Sequence, residues 1–149
     1  MTPQILVPMV LLLLAGMLNS VQGPTNALLA RGGGSVLTAA LVSFLVGTSL
    51  LLAAWIVLRP QANWAAMRAL PPYAWIGGLY GAIYVAAFAF ATPRLGIAAA
   101  IVIASLGQLG AALAIDHFAL LGVPRDPIRL TKALGVLLVV AGIGLVRWK

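Results

Sequence analysis

Long apolar runs, each closed by a short break of glycine, proline or arginine, set what this chain can become. A hydrocarbon layer of ~30 Å takes ~20 helical residues at a rise of ~1.5 Å each. Five stretches meet that length, about 4–30, 36–58, 73–91, 97–121 and 127–147. They consume nearly all of the 149 residues, so the expected fold is all-α, a single domain of five transmembrane helices with short loops. Function then sits in or between the helices.

Composition supports this reading. Only 7% of residues are charged and 63% are hydrophobic, with a mean hydropathy of +1.12. A soluble domain carries about 25% charged residues, because its surface faces water. The net charge of +7 does not indicate nucleic acid, since the basic residues stand singly between apolar blocks and form no basic stripe. There is no cysteine and one histidine, so no metal site is expected and no cofactor is called for. No basic region precedes the first apolar run and no A-x-A-like site follows it, so a retained first helix is expected rather than a cleaved signal peptide.

Local signals place the breaks. Gly23-Pro24 inside the first span favours a kink, because proline removes one backbone hydrogen bond. Arg31 and Gly32-Gly33-Gly34 end that span, and Ser35 caps the second, which Arg59-Pro60 stops. Residues 61–70, with Trp64 and Arg68, are expected along the interface. The third span follows Pro71-Pro72 and closes at a tight turn, Thr92-Pro93-Arg94-Leu95-Gly96. Asp126 is expected as N-cap of the fifth, with Pro127 as its first residue. Trp55, Trp64, Tyr73 and Trp75 would mark one membrane interface and Trp148 the other.

Five spans put the termini on opposite sides. The N-terminal side receives Arg59, Arg68, Arg125, Arg129 and Lys132; the other receives Arg31, Arg94, Arg147 and Lys149. Five against four is almost no bias, so the positive-inside rule barely orients the chain. Either a few residues or a partner decide the orientation, or copies insert both ways and pair as an antiparallel dimer with dual topology. Inverted repeats are a common basis of transporter architecture.

The run Val21-Gln22-Gly23-Pro24-Thr25-Asn26-Ala27 resembles the first-helix signature of the YdcZ-like proteins, a half-size branch of the drug/metabolite transporter superfamily. Residues 41–48, Ala91-Thr92-Pro93-Arg94-Leu95-Gly96, and 107–118 are similar as well, so the resemblance covers essentially the whole chain. It implies a five-helix unit equivalent to half of a ten-helix transporter, working as a homodimer or with a paralogous five-helix partner in a bacterial inner membrane. It carries no substrate. The related small multidrug-resistance proteins use a first-helix glutamate for proton coupling; this chain contains no glutamate.

Intramembrane polar groups are costly and usually face the bundle interior. Asn19, Gln22 and Asn26 fall within about 60° of one helical face. They read as a substrate-lining face or as interhelical hydrogen bonding. Tyr80 and Tyr84, one turn apart, and Gln108 on the fourth span fall near the midplane and would suit an amphipathic or aromatic substrate, or simply pack. Asp116 is the one acid within a span. At the negative end of its helix it needs a cation or a proton. Arg125, Arg129, Lys132 and His117 are candidates, though the adjacent His117 does not share its face. It reads either as an ion-coupling carboxylate or as an interfacial ion pair between the last two helices. An antiparallel dimer would bring Asp116 of one copy level with Gln22 and Asn26 of the other. Gly77 and Gly81 form a GxxxG packing motif.

No arrangement of side chains points to an enzyme. The expected function is secondary transport, with export favoured, of a small organic metabolite or drug-like compound by a dimer of five-helix units in the lipid bilayer. The competing reading is a non-transporting assembly or regulatory subunit.

Overall fold

The computed structural model describes residues 3–147, and every regular element among them is helical. The chain forms two compact units, Met1–Arg94 and Leu95–Lys149. The first holds α1 (Pro3–Gly33), α2 (Val36–Leu58), the short α3 (Trp64–Arg68) and α4 (Gly77–Leu95). The second holds α5 (Ile97–Phe118) and α6 (Leu130–Arg147).

α1 runs unbroken through Pro8 and Pro24. Its hydroxyls turn back onto its own backbone: Ser20 Oγ donates to the Gly16 carbonyl (2.9 Å), and Thr25 Oγ1 to those of Val21 (3.1 Å) and Gln22 (2.9 Å). Ser49 does the same in α2, toward Leu45 (2.8 Å). Ser35 caps α2 as expected, its Oγ accepting from Thr38 N–H at 3.4 Å. Asn63 caps α3, its Oδ1 accepting from Ala66 N–H at 3.0 Å.

In the first unit α1 packs on α2, and α4 reaches both. Glycine makes those approaches possible. A Cβ on Gly23 would lie 3.1 Å from the Phe88 ring and 3.3 Å from Thr92 Oγ1; one on Gly81 would lie 3.1 Å from the Phe44 ring. Asn19 meets Tyr84 and Gly23 meets Phe88 and Thr92, so numbering rises together and α1 and α4 run in the same direction. The buried apolar side chains here are mostly small: Ala27, Ala39, Ala40, Val85, Phe88 and Ala89. Large ones point outward, Leu12 at 73% exposure and Leu37 at 77%. Burying such a side chain from water is worth about 1.5–3 kcal/mol. The arrangement is sensible only where the surroundings are themselves apolar, because helices in lipid associate through small residues and close packing.

α1, α2 and α5 are long and apolar enough to cross a membrane. α4 is diluted by glycines, two tyrosines and a closing Pro93-Arg94, and the apolar part of α6, Leu130–Gly142, is shorter.

Several boundaries differ from the sequence reading. The third long helix starts at Gly77, not Tyr73, because Pro72–Trp75 closes a separate 3-10 turn, Ala74 N–H donating to the Pro71 carbonyl at 3.0 Å. Thr92-Pro93-Arg94 is not a turn: α4 continues to Leu95, with Arg94 bonded to the Phe90 carbonyl and its guanidinium 3.7 Å over the Phe90 ring. The break falls on Gly96, whose φ of +81° suits a residue without a side chain. α5 stops at Phe118 rather than residue 121, and Ala119 takes a left-handed conformation. Asp126 does not cap α6, which begins at Leu130 with Ala133 N–H bonded to the Arg129 carbonyl at 3.0 Å. Pro127 therefore lies in the loop. Trp148 and Lys149 lie outside the described residues.

The close approach at Gly23 gives a stability prediction. Gly23→Val should cost about 1–3 kcal/mol by overpacking against Phe88 and Thr92. Gly16→Ala, with open space around its Cβ, should be neutral or gain up to about 1 kcal/mol from helix propensity. Unfolding in detergent, followed by circular dichroism, measures both.

Candidate functional site

Polar groups of the first unit gather where α4 crosses α1. Residues 84, 88 and 92 recur every four positions along α4, one above the other on one face. Tyr84 Oη accepts a hydrogen bond from Asn19 Nδ2 at 3.1 Å, and the Tyr84 ring lies 4.8 Å from that of Phe88. This joins two of the residues singled out from the sequence.

Two turns further along α1, Asn26 is the largest fully buried side chain among the described residues, at 2% exposure. Its Nδ2 has no hydrogen-bond partner among the described residues, and neither has Thr92 Oγ1. A buried polar group left unpaired costs about 1–3 kcal/mol, so each of these two orphans calls for an explanation. Thr92 was missed by the sequence reading, which placed it in a turn. On α4 it faces the same glycine notch as Phe88.

Asn19, Gln22 and Asn26 do not share one environment. Asn19 is tied to α4 and Asn26 is buried. Gln22 is exposed, and lines a hollow of ≈ 190 Å³ against α2 with Ser43, Phe44, Gly47, Thr48 and Leu51. Tyr80, one turn before Tyr84, is 59% exposed and takes no part in the Asn19 contact. Gln108 in the second unit is exposed on α5.

The second unit carries both acids. Lys132 Nζ lies 2.7 Å from Asp126 Oδ2 and 4.0 Å from Asp116 Oδ2. Of the cations considered for Asp116, Lys132 is the one beside it, and it is closer to Asp126. His117 does not pair with Asp116; its Nδ1 accepts the Ile128 N–H at 3.2 Å. The Asp116 carbonyl accepts the Asp126 N–H at 2.9 Å, and Arg125 Nε donates to the His117 carbonyl at 3.3 Å. These contacts fold residues 119–129 back onto the end of α5 and delay the start of α6. The hydrogen bond from Lys132 holds the exposed Asp126 carboxyl below its ordinary value of 3.8, helped by the nearby charges of Lys132 and Arg129. Among the described residues, no group of three His, Asp or Glu is placed to hold a metal ion.

A family model described as "Putative inner membrane exporter, YdcZ" matches residues 7–145. No curated protein and no solved structure shows a significant match to the chain.

Two measurements check this geometry. A double-mutant cycle of Asn19→Leu with Tyr84→Phe should return a coupling of about 0.6 kcal/mol, the usual worth of an interhelical hydrogen bond in a membrane protein. Carboxyl NMR should show Asp126 titrating below 3.8 in the native chain and closer to it in Lys132→Met. Because the folded value is the lower one, whatever stability the contact adds is present above 3.8 and is lost as the pH falls through the folded value.

Proposed function

The chain belongs to the YdcZ family, and on that footing we propose that it is a secondary transporter exporting a small organic metabolite or drug-like compound. It is a multi-pass protein of the inner membrane. The working form is a dimer of five-helix units, each one half of a ten-helix inverted-repeat transporter and pairing with an inverted copy or a paralogue. The parallel course of α1 and α4 supports this span order, since first and third crossings must point the same way. The near-even split of Lys and Arg supports insertion in both orientations.

The observation that carries the transport reading is Asn26: a fully buried amide in an apolar helix, with an unpaired donor. A helix contact serving only assembly would be expected to satisfy that group. Asn19, Gln22, Asn26, Tyr80, Tyr84 and Gln108 are the pathway residues. Asp116 is the coupling carboxylate, released from Lys132 when it takes a proton or cation. The 4.0 Å separation of that pair, against 2.7 Å for Lys132 with Asp126, is consistent with a contact that can be given up.

An uptake screen in reconstituted vesicles tests this. Asn26→Ala should lower flux about tenfold, the equivalent of one lost hydrogen bond of ~1.4 kcal/mol, and Asp116→Asn should abolish coupled flux, both with dimer assembly intact. Loss of assembly without any flux to lose would favour a non-transporting subunit. The native chain has no cysteine, so Ala62→Cys reports orientation cleanly. Labelling from both sides of the membrane is expected; labelling from one side only would remove the antiparallel homodimer and leave a paralogous partner.

A further inference from the structure

Pro24, Ala27, Leu28 and Arg31 of α1 and Thr92 and Pro93 of α4 line a hollow of ≈ 240 Å³. We propose that this hollow binds an anionic oxygen group, a carboxylate or phosphate, attached to an apolar body. The proposal rests on the transport reading in taking that anion as part of the substrate.

Three observations converge here. First, Thr92 lines the hollow and is 8% exposed, and its hydroxyl has no partner among the described residues. Asn26, which precedes the lining Ala27 on α1 but does not itself line the hollow, carries the other unpaired donor, on a side chain 2% exposed. An unpaired hydroxyl on a residue of an otherwise apolar wall fits a ligand acceptor. Second, Arg31 lines the same hollow, and the first unit contains no acidic residue at all. Both aspartates of the chain, Asp116 and Asp126, belong to the second unit. Within the first unit, therefore, Arg31 has no carboxylate to pair with, and its counter-charge comes from outside that unit. Arginine matches carboxylate and phosphate oxygens in a planar fork. Third, the remaining lining is proline, alanine and leucine, which suits an apolar body rather than a sugar or a polyamine.

One term opposes an anion. α1 and α4 both end nearby, and each C-terminus carries about half a negative charge. Arg31 and Arg94 sit in those last turns with a full positive charge apiece, so the local balance stays positive. At about 30 Å³ per water-sized group, the hollow holds about eight such groups, the scale of a small monocarboxylate or a headgroup.

The test uses the full chain in phosphatidylcholine nanodiscs. Thermal unfolding is followed with a panel of monocarboxylates from acetate to benzoate, each against its neutral amide. A second arm omits the carboxylates and replaces part of the lipid with phosphatidylglycerol. A carboxylate-dependent rise in Tm, absent with the amides, is expected. Arg31→Gln should weaken apparent affinity at least tenfold. Thr92→Val should weaken it too, yet leave the ligand-free protein as stable as the native chain or more so, because it removes an unpaired hydroxyl. A purely structural Thr92 would instead lower ligand-free Tm.

Stabilisation by phosphatidylglycerol but not by free carboxylates keeps the anion site and assigns its occupant to the lipid, overturning the substrate assignment. No response in either arm, or a response unchanged by Arg31→Gln, overturns the site itself. Binding without vesicle flux would remove the transport reading and keep the site. Flux of a neutral compound unaffected by Arg31→Gln would do the reverse.

Discussion

The approach of α4 to α1 at Gly23 organises the first unit. Without a side chain at that position, the Phe88 ring and the Thr92 hydroxyl come to within van der Waals reach of the α1 backbone. Gly81 gives Phe44 the same access on the α2 side. Once those two notches set the distance, the rest follows by helical repeat. Tyr84, one turn before Phe88, reaches Asn19, and Thr92, one turn after, is shut in against Gly23. In hydrocarbon such closeness is the chief source of helix association, since large side chains gain nothing by leaving lipid for protein. The large residues accordingly face outward and alanine fills the contacts.

Charge is distributed with equal economy. The first unit is basic throughout and the second holds both acids, one lysine lying beside the two. The α5–α6 connection is tied by backbone groups of Asp116, His117, Asp126 and Ile128 bonding to one another and to side chains. The first unit instead places its donors inside the helix contacts. The two ends of the chain thus use polarity differently, one to tie a loop and one to hold two unpaired donors inside its helix contacts.

Helix identity was legible in the sequence because apolar length is a long-range, redundant signal: α2 is found at 36–58, the bounds read from its caps. Ends governed by a single residue were less legible. Thr92-Pro93 reads as a turn because proline cannot donate, yet near a helix end the loss is slight, and Arg94 finds a ring and a carbonyl within the same helix. Asp126-Pro127 has the letters of a helix start, but its N–H and carboxylate are taken by Asp116 and Lys132. Helical angle put Asn19, Gln22 and Asn26 on one face, and could not say that this face divides between α2 and α4. Thr92 left no signal of its own; only the matching notch at Gly23 betrays it.

The hydroxyls that bond back to their own helix bear on how polarity should be counted. Ser20, Thr25 and Ser49 each donate to a carbonyl three or four residues earlier. A residue whose one proton is already spent within its own turn presents little more than a methylene or methyl to its neighbours. Any scale that scores these three by residue type therefore overstates how wet α1 and α2 are. The true dielectric contrast along those helices lies in the amides, whose two protons and one oxygen cannot all be satisfied by a single turn of backbone.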